Sequence, residues 1–339
     1  QPGIDRRVHL YGSSVDCAGR GKMKFCPART SNAIMNLSFP CIAAAAVIGF
    51  LAAVLCPSVG RASASDLDAL YDRLAADLRE GRPMRIEVHV ALCDNDSQGI
   101  IPVKNRRICN GDDPSANMYW ATSEGLKGVL KERGWKKMSV TTGDGDVMET
   151  IVWTKRLFPG GDLSARGVKG PFEARLTGHA WRGCRIHEAM KAWLAGVYRE
   201  VDGSGAHLIG YVGHDWFMDV DDAARADLMS VAVGSGGRGT GVFALSCAGD
   251  SFIRPAIEGA GAYIIALNRY LTFPHAATVH GIVTAIAAGY SPAAVHRQYA
   301  RAFSEAQKTG LRWALKAFAM GPSDVAVIRL PTEAPVRTD

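Results

Sequence analysis

Two stretches of this 339-residue chain put reactive side chains directly after short apolar runs. Residues 206–212 (AHLIGYV) lead into Gly213-His214-Asp215, and residues 242–245 (VFAL) lead into Ser246-Cys247-Ala248-Gly249-Asp250. A thiol beside an imidazole is a nucleophile in waiting: the ring takes or balances the thiol proton, and the thiolate attacks an electrophilic carbon near neutral pH. The chemistry requires both runs to be strands, adjacent and pointing the same way, so that histidine and cysteine emerge on one edge. A helix starting just after Cys247, near Ser251, would add positive dipole at the sulfur. Without that adjacency, His214 is a loop histidine satisfied by Asp215 or Asp219, and Cys247 a small buried hydrophobe at a strand end.

Other clusters carry less. His179, Cys184 and His187 have ligand-type side chains but no evident fourth partner, so no metal site is expected. Asp94-Asn95-Asp96 and Asp112-Asp113 lack the spacing of a calcium loop and read as turn formers. Residues 234–241 (GSGGRGTG) lack the Gly-Lys-Ser/Thr ending of a phosphate loop and lead into a strand, so they read as a mobile linker. Tyr119, Trp120, Trp135 and Trp153 read as core. No cofactor is implied.

The elements that must position the pair follow from periodicity. Leu67, Leu70, Leu74 and Leu78 make 65–80 an amphipathic helix, and 86–92 (IEVHVAL) is a short β-rich run. A helix is expected over 117–133, strands over 137–141 and 149–157, and an exposed loop over 156–170. A strand near 173–177 precedes a long helix over 184–201. After the two candidate strands come a short helix over 253–258, a strand over 262–267, and helices over 275–288 and 292–308. Apolar strands alternating with helices predict an α/β protein, a sandwich with a mostly parallel, covered sheet. No repeat or change of composition divides residues 65–339, which read as one domain.

A strand ending in Gly-His, a gap of about thirty residues, a strand ending in Ser-Cys, then Gly261-Ala262, another strand, and Ala288-Gly289-Tyr290-Ser291 between two helices together resemble the caspase–hemoglobinase superfamily of cysteine peptidases, its CHAT branch in particular. The resemblance spans residues 206–304, with 88–92 as the first strand. It implies a three-layer α/β/α sandwich of caspase-like type, with Cys247 as nucleophile and His214 as general acid/base acting on a peptide or protein substrate. It also implies an oxyanion hole built from the backbone N–H groups of Cys247 and Asp215, with Gly213 and Ser246 adjoining. The family pattern carries glycine where this chain has Asp215, which places a side chain and a negative charge where the oxyanion would develop. The competing reading is a catalytically inactive module of the same fold that binds a peptide or protein partner at that edge.

Charge and the N-terminal region set the location. The formal net charge is +6, but the first 64 residues hold seven of the 39 basic and two of the 33 acidic residues, leaving 32 against 31. That balance gives no electrostatic case for a nucleic-acid partner. Residues 30–60 contain no charge; the apolar stretch 41–59 follows Lys22, Lys24 and Arg29, is broken by Pro57, and leads to Ala62-Ser63-Ala64. This pattern reads as an upstream extension plus signal peptide, cleaved after Ala64, leaving no stable membrane span in a periplasmic or secreted product. Four cysteines then remain, Cys93, Cys109, Cys184 and Cys247, allowing three complete pairings. One or two disulfides are expected in an oxidising compartment, with Cys93 and Cys109 placed to close the polar loop between them.

Overall fold

The computed structural model describes residues 7–10, 13–16, 65–100, 102–199, 205–234 and 236–321. The expected signal segment and its cleavage site at Ala64 lie outside the described residues. Of residues 1–64 only a hairpin is described, β1 (Arg7–Leu10) paired antiparallel with β2 (Ser13–Asp16).

Apolar alternation builds a single eight-stranded sheet. Its strands are β3 (Met84–Ala91), β4 (Lys136–Thr142), β5 (Val147–Leu157), β6 (Phe172–Trp181), β7 (Leu208–Val212), β8 (Gly241–Leu245), β9 (Tyr263–Asn268) and β10 (Phe318–Ala319). They lie in the order β10-β9-β8-β7-β3-β6-β5-β4. From β6 to β9 all neighbours are parallel, while β5, β4 and β10 are antiparallel to their neighbours. Every residue of β7, β8 and β9 is buried, as expected for strands covered on both faces. Gly210 is required there, because a Cβ on it would sit 2.1 Å from the Phe243 ring on the next strand.

Helices flank both faces, an arrangement compatible with a three-layer sandwich. On one face α1 (Ser65–Arg79), α2 (Leu126–Glu132), α8 (Ala277–Ala287), α9 (Pro292–Gln307) and α10 (Leu311–Ala317) pack on Ile86, Val88 and Val90 of β3, Phe243 of β8 and Leu176 of β6. On the other, α4 (Ile186–Tyr198), α5 (Asp222–Met229) and the four-residue α7 (Arg254–Ile257) cover Ile209, Tyr211, Val242 and Ile264. That second layer stops short of β6. There the sheet face carries Arg85, Glu87 and His89 opposite Arg175, Thr177 and His179, so the expectation of a fully covered sheet holds only for the β7–β9 half.

Three local expectations change. The helix expected over 117–133 begins only at Leu126, because Asn117 holds the preceding residues in turns. Its carbonyl accepts from the backbone of Trp120, Ala121 and Thr122, and its side-chain oxygen accepts from Cys93 and Tyr119 N–H groups. The loop expected over 156–170 contains α3 (Gly161–Ala165), whose Leu163 is buried. Gly161 has φ +38° and a Cβ there would meet the Gly289 carbonyl oxygen at 2.2 Å, so this segment is fastened to the α8–α9 connection. Residues 236–241 of the glycine-rich run are likewise packed rather than a mobile linker. Gly237 N–H donates to the Ala260 carbonyl at 2.9 Å, and a Cβ on Gly237 would meet Val197 O at 2.6 Å.

Candidate active site

β7 and β8 are parallel neighbours in register from Leu208↔Gly241 to Val212↔Leu245. The Gly213 N–H extends the ladder by donating to the Leu245 carbonyl at 3.2 Å. His214 and Cys247 therefore leave the sheet at equivalent positions on the same edge, the adjacency that the chemistry needs. Gly213 makes the exit possible. Its φ of +156° suits glycine, and a Cβ would come 2.9 Å from the Tyr211 hydroxyl and 3.2 Å from the Ala91 carbonyl. The Tyr211 hydroxyl in turn donates to the His214 carbonyl at 2.7 Å, pinning the turn from below.

The His214 ring is held through Nε2 by the carboxylate of Asp219, and its side chain is 11% exposed. Nδ1 makes no hydrogen bond among the described residues. Of the two aspartates that could hold the imidazole, Asp219 does so and Asp215 turns inward. Asp215 is wholly buried, its Oδ1 accepts from the Phe217 N–H at 3.1 Å, and its Oδ2 has no partner among the described residues. Burial first, and the nearby Asp219 charge next, push the Asp215 carboxyl up to about 8, against the pull of the Phe217 N–H. At neutral pH it is mostly an uncharged acid. The expected negative charge at the oxyanion position is thus neither exposed nor ionised, because the carboxyl caps the 3₁₀ turn Trp216–Met218. The buried Asp215 N–H donates no hydrogen bond among the described residues.

Cys247 is half-buried and not disulfide-bonded. Its Sγ donates to the Thr272 carbonyl at 3.5 Å, and Thr272 is held by the Asn268 amide. Ala248 follows at φ +49°, a left-handed conformation that costs a non-glycine residue about 1 kcal/mol. The Ala248 N–H donates to the Tyr270 carbonyl at 3.0 Å, which fastens the strained turn to the 268–272 loop. The following helix, α6 (Gly249–Phe252), begins earlier than expected and has only four residues, so its dipole adds little. Ser246, expected beside the site, is wholly buried behind the thiol with its hydroxyl unpartnered among the described residues.

Tyr119 is a site neighbour that aromatic patterning alone could not separate from core. Its phenol is raised above the ordinary value by burial, with the adjacent Cys247 adding to it. It comes from the turn that replaces the expected helix, which is why no periodic signal marked it.

Elsewhere, Cys93 and Cys109 form a disulfide that closes the polar loop. His179, Cys184 and His187 are dispersed: His187 pairs with Asp227 at 2.8 Å and stacks on Trp216, while His179 contacts Thr150 and lies 3.6 Å from Glu87. Among the described residues no group of three or more His, Cys, Asp or Glu is arranged to hold a metal ion. No helix among them is long and apolar enough to cross a membrane.

No protein-family model, no curated protein and no solved structure matches this chain, so its function rests on the geometry of these two strand ends.

Proposed function

We propose that this protein is an exported cysteine-dependent peptidase-like hydrolase in which Cys247 is the nucleophile and His214 the general acid/base. One observation carries the reading: the in-register parallel pairing of β7 with β8 brings Gly213-His214 and Ser246-Cys247 off the sheet side by side. The strand order, five parallel strands with an antiparallel two-residue edge strand after β9, supports the caspase-like likeness drawn from the motifs. The Cys93–Cys109 disulfide supports export to an oxidising compartment.

In this reading His214 accepts the Cys247 proton and the sulfur attacks the substrate carbonyl carbon. The oxyanion of the tetrahedral adduct is met by the backbone N–H of Cys247; the Asp215 N–H, which the resemblance also assigns to the hole, is buried and reaches it only when substrate binding opens the 213–215 turn. His214 returns the proton to the leaving amine, and water then hydrolyses the thioester with His214 as base. Asp219 fixes the ring and balances its transient positive charge.

A second reading has its own support. An imidazole already bonded to Asp219 is also what a satisfied structural histidine looks like, and it fits an inactive module that binds a peptide at the same edge. Alkylation of native protein with a small thiol reagent near pH 7 separates the two. The hydrolase reading expects fast labelling confined to Cys247, with Cys184 slow, and a rate lowered about tenfold or more by His214→Ala. Labelling of Cys247 only after unfolding, or a rate indifferent to His214→Ala, would overturn the dyad and leave the binding module.

A further inference from the structure

A cavity of about 290 Å³ opens between the end of α2 and the paired helices α8 and α9, on a part of the molecule that the Cys247–His214 chemistry does not use. Its size lies just below the usual range for small-molecule sites. Its lining residues include four with donor side chains, Arg133, Arg301, Gln298 and His280. Neither guanidinium is in an ion pair among the described residues, although a carboxylate, Glu305, lies on the same wall one turn beyond Arg301. The Trp135 indole N–H donates to His280 Nδ1 at 3.4 Å, so the neutral ring carries its proton on Nε2 and is a donor there. Lys155, bonded to the Arg133 carbonyl, brings a third positive charge to the same side.

We infer that this cavity is an anion site for a small phosphate monoester, with Arg133 and Arg301 gripping the phosphoryl group and His280 or Gln298 donating to its remaining oxygens. Two planar donor forks suit a tetrahedral oxyanion with several acceptor oxygens better than a carboxylate with two. Glu305 suits a hydroxyl on the organic part, which it can accept from. The local field agrees: burial, then the charges of Lys155 and Arg133, hold the His280 ring down to about 4. An anion seated between those cations offsets their charge and raises that value.

The test uses the full chain at about pH 7.5, where a phosphomonoester is close to doubly charged. Glycerol 3-phosphate, inorganic phosphate and acetate are titrated by calorimetry, and the His280 ring proton is followed by NMR. The expected result is saturable binding of both phosphates, a saturable change of the His280 ring resonance on binding, and about tenfold weakening by Arg133→Ala and by Arg301→Ala. Both arginines are exposed, so neither variant threatens the fold. Arg297→Ala, exposed on the same helix but outside the cavity, leaves binding unchanged. Absence of saturable phosphate binding, acetate binding as tightly as phosphate, exclusion of glycerol 3-phosphate, or indifference to both arginine variants would each overturn the assignment.

Discussion

At the scale of single residues, Asp215 departs most from what its position in the sequence suggests. A carboxylate next to the proposed general acid/base reads as a negative charge in the way of an oxyanion. Turned inward to cap the 216–218 turn, it becomes a buried acid with its carboxyl raised to about 8. Because its folded value lies above the unfolded one, near 3.9, the folded state holds this proton more tightly. Its contribution is therefore fully present below pH 4 and is lost as pH rises toward 8, at up to about 1.4 kcal/mol per pH unit. Asp215→Asn is expected to remove that decline, so that urea unfolding free energy falls less between pH 7 and pH 8 in the variant than in the wild type. Equal pH slopes in wild type and variant would show that the carboxyl titrates normally.

At the scale of elements, the site depends on how segments without regular periodicity are tied down. The 93–117 loop feeds Tyr119 toward Cys247 and is secured by the Cys93–Cys109 disulfide and by Asn117, whose amide donates to the Cys93 carbonyl at 2.8 Å. Closing a loop of this length stabilises by about 3 kcal/mol in the chain-entropy account. Replacing both cysteines by alanine is expected to lower unfolding free energy by about that amount and to leave a protein whose thermal midpoint no longer responds to reductant. A wild-type midpoint already insensitive to reductant would contradict the disulfide's contribution. The strands that carry His214 and Cys247 were legible because fully buried β7 and β8 are continuous apolar runs. The 117–125 turn was not, since its conformation is set by one side chain, Asn117, bonding across to residues far away in sequence.

At the scale of the whole molecule, burial of imidazoles sets the acid limit of stability. His207 is wholly buried and held down to about 3 by burial and the charges of Arg73 and Arg85, despite the opposing pull of Asp77. His275 and His296, also buried, are held down to about 4, each mainly by burial. The unfolded chain protonates these rings near 6.5, whereas the folded protein does not, so stability is present above pH 6.5 and is lost as pH falls toward 4. Set against the opposite trend of Asp215, this places maximal stability between about pH 6 and 7. Urea unfolding at pH 7 and pH 5 is expected to differ by several kcal/mol, and His296→Leu to reduce that difference. A flat profile over this range would mean that the rings find compensating acidic partners once protonated.

The sequence by itself determined the alternation of strands and helices, the apolar strands that end in Gly213-His214 and Ser246-Cys247, and the cysteine spacing around the 93–109 loop. These are local: side-chain period and chain distance are written along the chain. Only the tertiary structure decided that β7 and β8 are in-register neighbours, that Asp219 and not Asp215 holds His214, and that β10 completes the far edge of the sheet. It alone decided that the glycine-rich 236–241 turn is packed, that half of one sheet face is polar, and that Arg133 and Arg301 line one cavity. Each of these depends on pairing, burial and close approach between residues distant in sequence, whose energies the pattern of residue types along one chain does not encode.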